Sequence, residues 1–227
     1  MSTILLTGAT GGLGRSVVKK LLEAEHQIVA IHQKTSSLKA EKNLEPYALD
    51  LTDEAGCQKL VSSVVEEKGS IDAAVLLAGG FAMGTLAETD YAAIEEMFRI
   101  NFQTAYNLVK PVFAQMEQQK QGGRIVLISG RPALVPDAAK HMVAYALSKS
   151  LIIHLSEIIN SAGKDKNIVS TVIVPSTIDT PANREAMPDA DPDAWVSPDD
   201  LAELISFVTF GPGQLLREPV LKAYSRS

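Results

Sequence analysis

Short aliphatic and β-branched runs alternate with longer segments of helical period from one end of the chain to the other, and this alternation leaves few folds open. It predicts strands over 3–7, 27–31, 46–49, 71–77, 124–129, 168–174 and 215–221. Helices are expected over 12–24, 53–67, 91–119, 142–162 and 198–209. Ala73-Ala74-Val75-Leu76-Leu77 and Ile125-Val126-Leu127-Ile128 are apolar throughout, the pattern of strands covered on both faces by helices. The expected fold class is α/β, a doubly wound parallel sheet in a single domain spanning all 227 residues. Hydrophobic residues at 46% and charged residues at 21% suit a large core and exclude disorder as the main state.

Other classes fall away on charge and cysteine content. A formal charge of −6 with no basic stripe counts against nucleic acid or anionic lipid as the main partner. The lone cysteine, Cys57, excludes an internal disulfide framework and suits a reducing compartment. His26, His141 and His154 lack metal-binding spacing, so no metal is expected. No basic leader opens the chain, and apolar stretches such as 73–78 fall far short of the ~20 residues a membrane span needs. A soluble, cytoplasmic protein is expected.

The first predicted strand runs straight into Thr7-Gly8-Ala9-Thr10-Gly11-Gly12-Leu13-Gly14, and the first helix follows. Glycines here let backbone approach a pyrophosphate, while the helix N-terminus presents unpaired N–H groups and a favourable dipole. This is the Rossmann-type dinucleotide cradle, with the small-molecule chemistry that implies. An acid at the end of the second strand would accept from a ribose 2′-hydroxyl and repel a 2′-phosphate. The chain instead reads His32-Gln33-Lys34-Thr35-Ser36, where Lys34 and the hydroxyls suit a phosphate. NADP(H) is therefore favoured and NAD(H) stays open, since the same five residues also read as a solvated loop.

Tyr145 and Lys149 are four residues apart in the fourth amphipathic segment, on one side of a helix. A nearby cation is expected to lower the phenol's pKa towards the range where it exchanges a proton with substrate. The same helix carries Leu147, Leu151, Ile152, Leu155, Ile158 and Ile159, more apolar residues than one face requires, which suits burial against a second copy. Five of the 11 prolines fall at 175, 181, 188, 192 and 198, so a long irregular loop near 176–200 is expected to act as a substrate lid.

Together the spacing Thr-Gly-x-x-x-Gly-x-Gly and the Tyr145-x-x-x-Lys149 signature resemble the short-chain dehydrogenase/reductase family over nearly the whole chain. The resemblance implies that Gly8, Thr10, Gly12, Leu13 and Gly14 form the pyrophosphate cradle, with His32, Gln33 and Lys34 at the adenosine ribose. It places Asp50 and Leu51 at the adenine, although Asp50 also reads as a loop or capping acid. Ala78, Gly79 and Gly80 would let the cofactor approach closely, and Pro175, Ile178 and Thr180 would meet the nicotinamide carboxamide. Tyr145 and Lys149 become an acid–base pair, Lys149 also holding the nicotinamide ribose. Asn101 would support a proton path, its plainer role being a satisfied polar residue in a helix. A homodimer or homotetramer is implied.

One departure bears on chemistry. The family's catalytic serine aligns with Gly130, and Ser129 faces the other side of an extended strand. Loss of such a donor typically costs ~10² to 10³ in rate. A conjugated C=N system needs it less, because charge spreads over a ring. Ala78-Gly79-Gly80-Phe81, Gly130-Arg131-Pro132 and Ile178-Asp179-Thr180-Pro181 resemble the dihydropteridine reductase branch. That resemblance implies a substrate such as a quinonoid dihydropterin, with Phe81, Gly130 and Arg131 at the substrate. Two alternatives stay open: an alcohol or carbonyl substrate, with Ser129, Arg131 or a water replacing the hydroxyl, and a cofactor-sensing protein without turnover.

Overall fold

The computed structural model describes residues 1–33 and 35–226, so Lys34 lies outside the described residues. Its strands are β1 (Thr3–Thr7), β2 (Gln27–His32), β3 (Leu44–Ala48), β4 (Ala73–Leu76), β5 (Gly123–Ile128), β6 (Ile168–Pro175) and β7 (Val220–Ala223). All pair in parallel in the order β3-β2-β1-β4-β5-β6-β7. The helices are α1 (Gly12–Glu23), α2 (Glu54–Lys68), α3 (Tyr91–Met97), α4 (Thr104–Gln118), α5 (Pro136–Ala139), α6 (Val143–Gly163), α7 (Pro181–Ala186) and α8 (Pro198–Phe210).

Strand periodicity divides the core into two layers. Ile4 and Leu6 face α1 and α8, where Val17, Leu21, Leu201 and Ile205 complete one apolar layer. Leu5 faces the other way, into the layer that Leu60, Leu108 and Ile152 build from α2, α4 and α6. Both faces of the sheet are covered, as the apolar strands predict. Because the chain runs outward from β1 in one direction and from β4 in the other, a crevice opens where β1 and β4 end. Ligands of doubly wound folds bind at such a switch point.

Three local expectations are revised. The helix predicted over 91–119 is interrupted by a π-helical segment, Phe98–Gln103. The last strand is Val220–Ala223 and not 215–221, because Pro212–Leu215 closes into a 3₁₀ turn and Pro219 directly precedes the strand. The proline-rich segment is less irregular than expected. It contains α7, and it is pinned to the core by buried Trp195 and Val196, the latter bridged to Ile178.

The placement of α6 depends on a polar clasp. β7 pairs with β6 only from Val172 onward, which leaves Ser170 without a strand on that side. Asn160 of α6 stands in for one, accepting from Ser170 N and donating to Ser170 O at 2.8 Å each. Below it Ser156 donates to Ser170 Oγ at 2.8 Å, in full burial. Asn160→Ala leaves two partly buried backbone groups unpaired, and urea unfolding should register a loss of about 1–3 kcal/mol.

Candidate active site

At the end of β1 the chain turns through Gly8, whose φ of 70° lies in the left-handed region. Gly11 N donates to Gly8 O at 3.0 Å and closes the turn. Thr7 Oγ1 accepts from Ala78 N at 3.0 Å, tying the end of β1 to the segment after β4. Gly11 caps α1 without any side-chain hydrogen bond, so the first-turn N–H groups have no competing side-chain acceptor there. That arrangement fits a phosphate.

A cleft of about 660 Å³ extends from this turn across the ends of β2, β3 and β4. Gly8 and Thr10 line it on one side; His32 and Gln33, Asp50 and Leu51, and Ala78 and Gly79 line it on the others. Asp50 accepts from Thr52 N at 2.9 Å and Thr52 Oγ1 at 2.8 Å. Ile100, Thr104 and the Glu96–Arg99 ion pair also border the cleft, and the sequence had not singled them out. Their position on either side of Asn101 was the available signal.

Other candidates lie outside this cleft. Leu13 packs its side chain into the core below α1 and retains only backbone to offer a ligand. Gly14 turns towards Gly8, whose carbonyl an added Cβ would overlap, so it permits the tight turn and does not line the cleft. Thr180, after β6, stands against Gly12: a Cβ there would lie 2.6 Å from Thr180 Cγ2. Thr180 Oγ1 accepts from Asn183 N at 3.2 Å, capping α7. Pro175 is the last residue of β6, paired with Ala223.

A second cluster forms where β4, β5, α6 and the π-helical segment meet. Asn101 is 1% exposed. Its Oδ1 accepts from Gly80 N at 2.9 Å, and its Nδ2 donates to Gly80 O at 3.1 Å and Ser148 Oγ at 3.0 Å. Ser148, not singled out in the sequence, donates in turn to Tyr145 O at 2.8 Å. Ser129 faces α6 and donates to Lys149 O at 2.9 Å, while Lys149 Nζ donates to Ile128 O at 3.1 Å. A Cβ at Gly79 would lie 2.5 Å from Asn101 Oδ1 and 3.1 Å from Lys149 Nζ, so this close approach requires glycine.

Tyr145 packs between Phe81, edge-on at 5.0 Å between ring centroids, and Gly130. A Cβ on Gly130 would lie 2.6 Å from the phenol oxygen, so that oxygen occupies space a side chain would otherwise take. Arg131 is seated with its guanidinium carbon 5.4 Å from the ring centroid of Tyr224, beyond β7. Gly130 and not Arg131 therefore stands next to the phenol, because the chain turns into a 3₁₀ segment at Arg131. Phe81 is 58% exposed and forms a rim.

The expected lowering of the phenol's pKa by Lys149 is overturned. Burial pushes Tyr145 up to about 12, and burial lowers Lys149 to about 8. The amine, 6.0 Å from the phenol's ring centroid, is bonded to the Ile128 carbonyl, and burial sets the direction of the phenol's shift. What results is a neutral phenol able to donate a proton, beside a lysine whose charge changes near neutral pH.

The short chain dehydrogenase family model matches residues 2–191. The chain belongs to the short-chain dehydrogenase family. As such it is an NAD(P)-dependent dehydrogenase/reductase, and the uncapped first turn of α1 beside the cleft fits that cofactor. It is 27% identical over 183 residues to a 2,3-dihydro-2,3-dihydroxybenzoate dehydrogenase from Bacillus subtilis, covering 77% of this chain and 69% of that protein. It is also 27% identical over 207 residues to a dihydropteridine reductase from Dictyostelium discoideum, covering 88% of this chain and 84% of that one. The fold matches the structure described as ElxO with NADP bound at a TM-score of 0.89, with 22% identity, 99% coverage of this chain and 97% of that one. No described helix of this short-chain dehydrogenase is long and apolar enough to cross a membrane.

Lys149 makes stability depend on pH. Its folded pKa of about 8 lies below the ordinary 10.5, so the unfolded chain holds that proton more tightly. Stability from this group therefore rises between pH 8 and 10.5. Tyr145, raised from 10.0 to about 12, acts in the opposite sense above pH 10. Lys149→Met should flatten the rise between pH 8 and 10.5 and be the more stable protein at pH 7, by about 2–3 kcal/mol in urea melts.

Proposed function

We propose that this enzyme reduces a conjugated small molecule of the quinonoid dihydropterin type, using NADPH in preference to NADH. The observation that carries it is Gly130 with the Tyr145 oxygen packed against it. At the position where the family's serine stands there is no second hydroxyl to meet a localised alkoxide. A substrate that spreads developing charge over a conjugated ring does not require one. The bound nicotinamide supplies the hydride. Tyr145, neutral at physiological pH, donates the proton to a ring nitrogen, and Lys149 holds the ribose. Phe81 offers an exposed aromatic face to a planar ring beside that phenol. Asn101 fixes the loop at Gly80, and the segment over 176–200, anchored by Trp195 and Val196, would border the substrate. The likeness to a dihydropteridine reductase supports the same substrate class. The NADPH preference rests on the absence of an acid at the end of β2 and on the hydroxyls of Thr35 and Ser36 in the cleft wall.

The test follows the absorbance of the reduced cofactor with a quinonoid dihydropterin beside a panel of ketones and quinones. Turnover of the dihydropterin is expected, with Tyr145→Phe lowering kcat by ~10² to 10⁴. Gly130→Ser displaces the phenol and should lower kcat with the conjugated substrate. Turnover confined to simple ketones, or a gain in rate from the serine, overturns this substrate class. Tight cofactor binding without any turnover identifies a sensing protein instead.

We infer further that two copies pair through α6. Leu147, Leu151 and Ile158 are exposed along it, and Phe98, Phe102 and Tyr106 form a ring ladder on the adjoining α3–α4 segment. Sedimentation at micromolar concentration should show a dimer or tetramer, which Leu151→Glu shifts towards monomer; a wild-type monomer overturns the pairing.

A further inference from the structure

We propose that Arg15, with Lys39 beside it, is the residue that grips the 2′-phosphate of the cofactor and so sets the choice of NADPH. The proposal rests on the NADPH preference inferred above and names the cation responsible for it. In a doubly wound fold the adenosine ribose lies between the glycine turn and the end of the second strand. Here that corner of the cleft is walled by Thr10 and Gly11 on one side and by His32, Gln33, Thr35 and Ser36 on the other. A 2′-phosphate brings up to two negative charges into it, and a cation must answer them.

Two described arginines stand near enough to the cleft to be considered. Arg99 is engaged by Glu96 through two bonds of 2.9 and 2.7 Å, a fork already filled. Arg15 is held differently. It begins the second turn of α1, and its Nε donates to Thr10 O at 3.1 Å, on the cleft wall itself. Among the described residues its two terminal nitrogens make no hydrogen bond or ion pair. One bond thus orients the guanidinium while the outer edge of the fork is left for an anion, the geometry in which arginine loses least freedom on binding phosphate.

The far side of Arg15 supports the same assignment. It borders a second cleft of about 430 Å³, walled also by Lys39 and Leu38 from the β2–β3 connection and by Ala9 from the glycine turn. Its one carboxylate is Glu41, so two cations face a single acid. Of the two acids that line the main cleft, Asp50 accepts from Thr52 and Glu96 is paired with Arg99. Ser36 Oγ, which donates to Gln33 O at 3.0 Å and lies 3.5 Å from His32 Nδ1, lines the same cleft as Thr10 and adds a further polar group to it.

Calorimetric titration of the full chain with NADPH, NADH, adenosine 2′,5′-bisphosphate and AMP tests this, in wild type, Arg15→Gln and Arg15→Lys. Wild type should bind the 2′-phosphorylated member of each pair more tightly. Arg15→Gln should lose about tenfold to a hundredfold for NADPH and the bisphosphate, with AMP and NADH moving by about twofold at most. Arg15→Lys should recover part of the loss. An equal loss for both members of each pair overturns the proposal, because Arg15 would then only brace the glycine turn. Full retention of discrimination by Arg15→Gln also overturns it and leaves the NADPH preference standing on another cation, which Lys34→Gln would reveal. Wild type binding NADH as tightly as NADPH overturns the preference and this proposal together.

Discussion

The site depends on a buried lysine amine, Lys149, whose Nζ among the described residues makes one hydrogen bond, to the Ile128 carbonyl. An ammonium taken from water without a paired anion is penalised by several kcal/mol, and the pKa near 8 expresses that penalty. The surrounding structure is built to hold it there. Ser129 anchors the backbone of Lys149, Asn101 and Ser148 lock the adjoining loop and helix turn, and Gly79 removes the side chain that would collide with both amide and ammonium. Core packing alone has no use for such a network, because an apolar residue would serve better. It gains meaning only if a ligand with hydroxyls and negative charge completes the hydrogen bonding of the nitrogen.

The site has two halves, the cleft at the ends of β1 to β4 and the neighbouring cluster where β4, β5 and α6 meet. On the β2–β1 side the walls are backbone N–H groups, short polar side chains and glycines, suited to recognising sugar and phosphate. The second half holds the Tyr145 phenol, the buried Lys149 amine and the exposed ring of Phe81. The Thr7–Ala78 hydrogen bond spans the switch point and holds the two halves in register. Because helix α6 carries both titrating groups, its position relative to β6 matters more than that of any other helix. The Asn160 and Ser156 contacts to Ser170 fix it with polar geometry where apolar packing would allow sliding.

Much of this was legible before any coordinates. The alternation of strand and helix periods specified the parallel sheet, and glycines between β1 and α1 located the cleft, because both are local patterns. The i, i+4 relation of Tyr145 and Lys149 placed them on one side of α6 for the same reason. What stayed hidden depends on contacts distant in sequence. The π-helical segment around Asn101 has no periodic signature, and it exists where the amide reaches Gly80, 21 residues away. The pKa of Tyr145 is not legible in the spacing, which reveals the neighbouring amine and conceals the burial that raises it. Leu215 and Leu216 imitate a strand until Gly211-Pro212-Gly213 is recognised as a turn. Arg131 followed Gly130 in sequence but was carried by its 3₁₀ turn to Tyr224.

Gly130 is where these levels meet. It carries no side chain, and the phenol oxygen comes to within 2.6 Å of where a Cβ would stand. Restoring a side chain there is therefore not the addition of one donor to an otherwise unchanged site. It sets the new side chain against the Tyr145 oxygen, so the phenol, packed edge-on against Phe81, must shift. A site organised this way commits its single phenolic donor to the substrate atom in front of it. The chemistry it can support is then governed by how little further stabilisation the reduced substrate needs. The substrate class proposed above, an acceptor whose own π-system carries the charge, rests on this packing at one glycine.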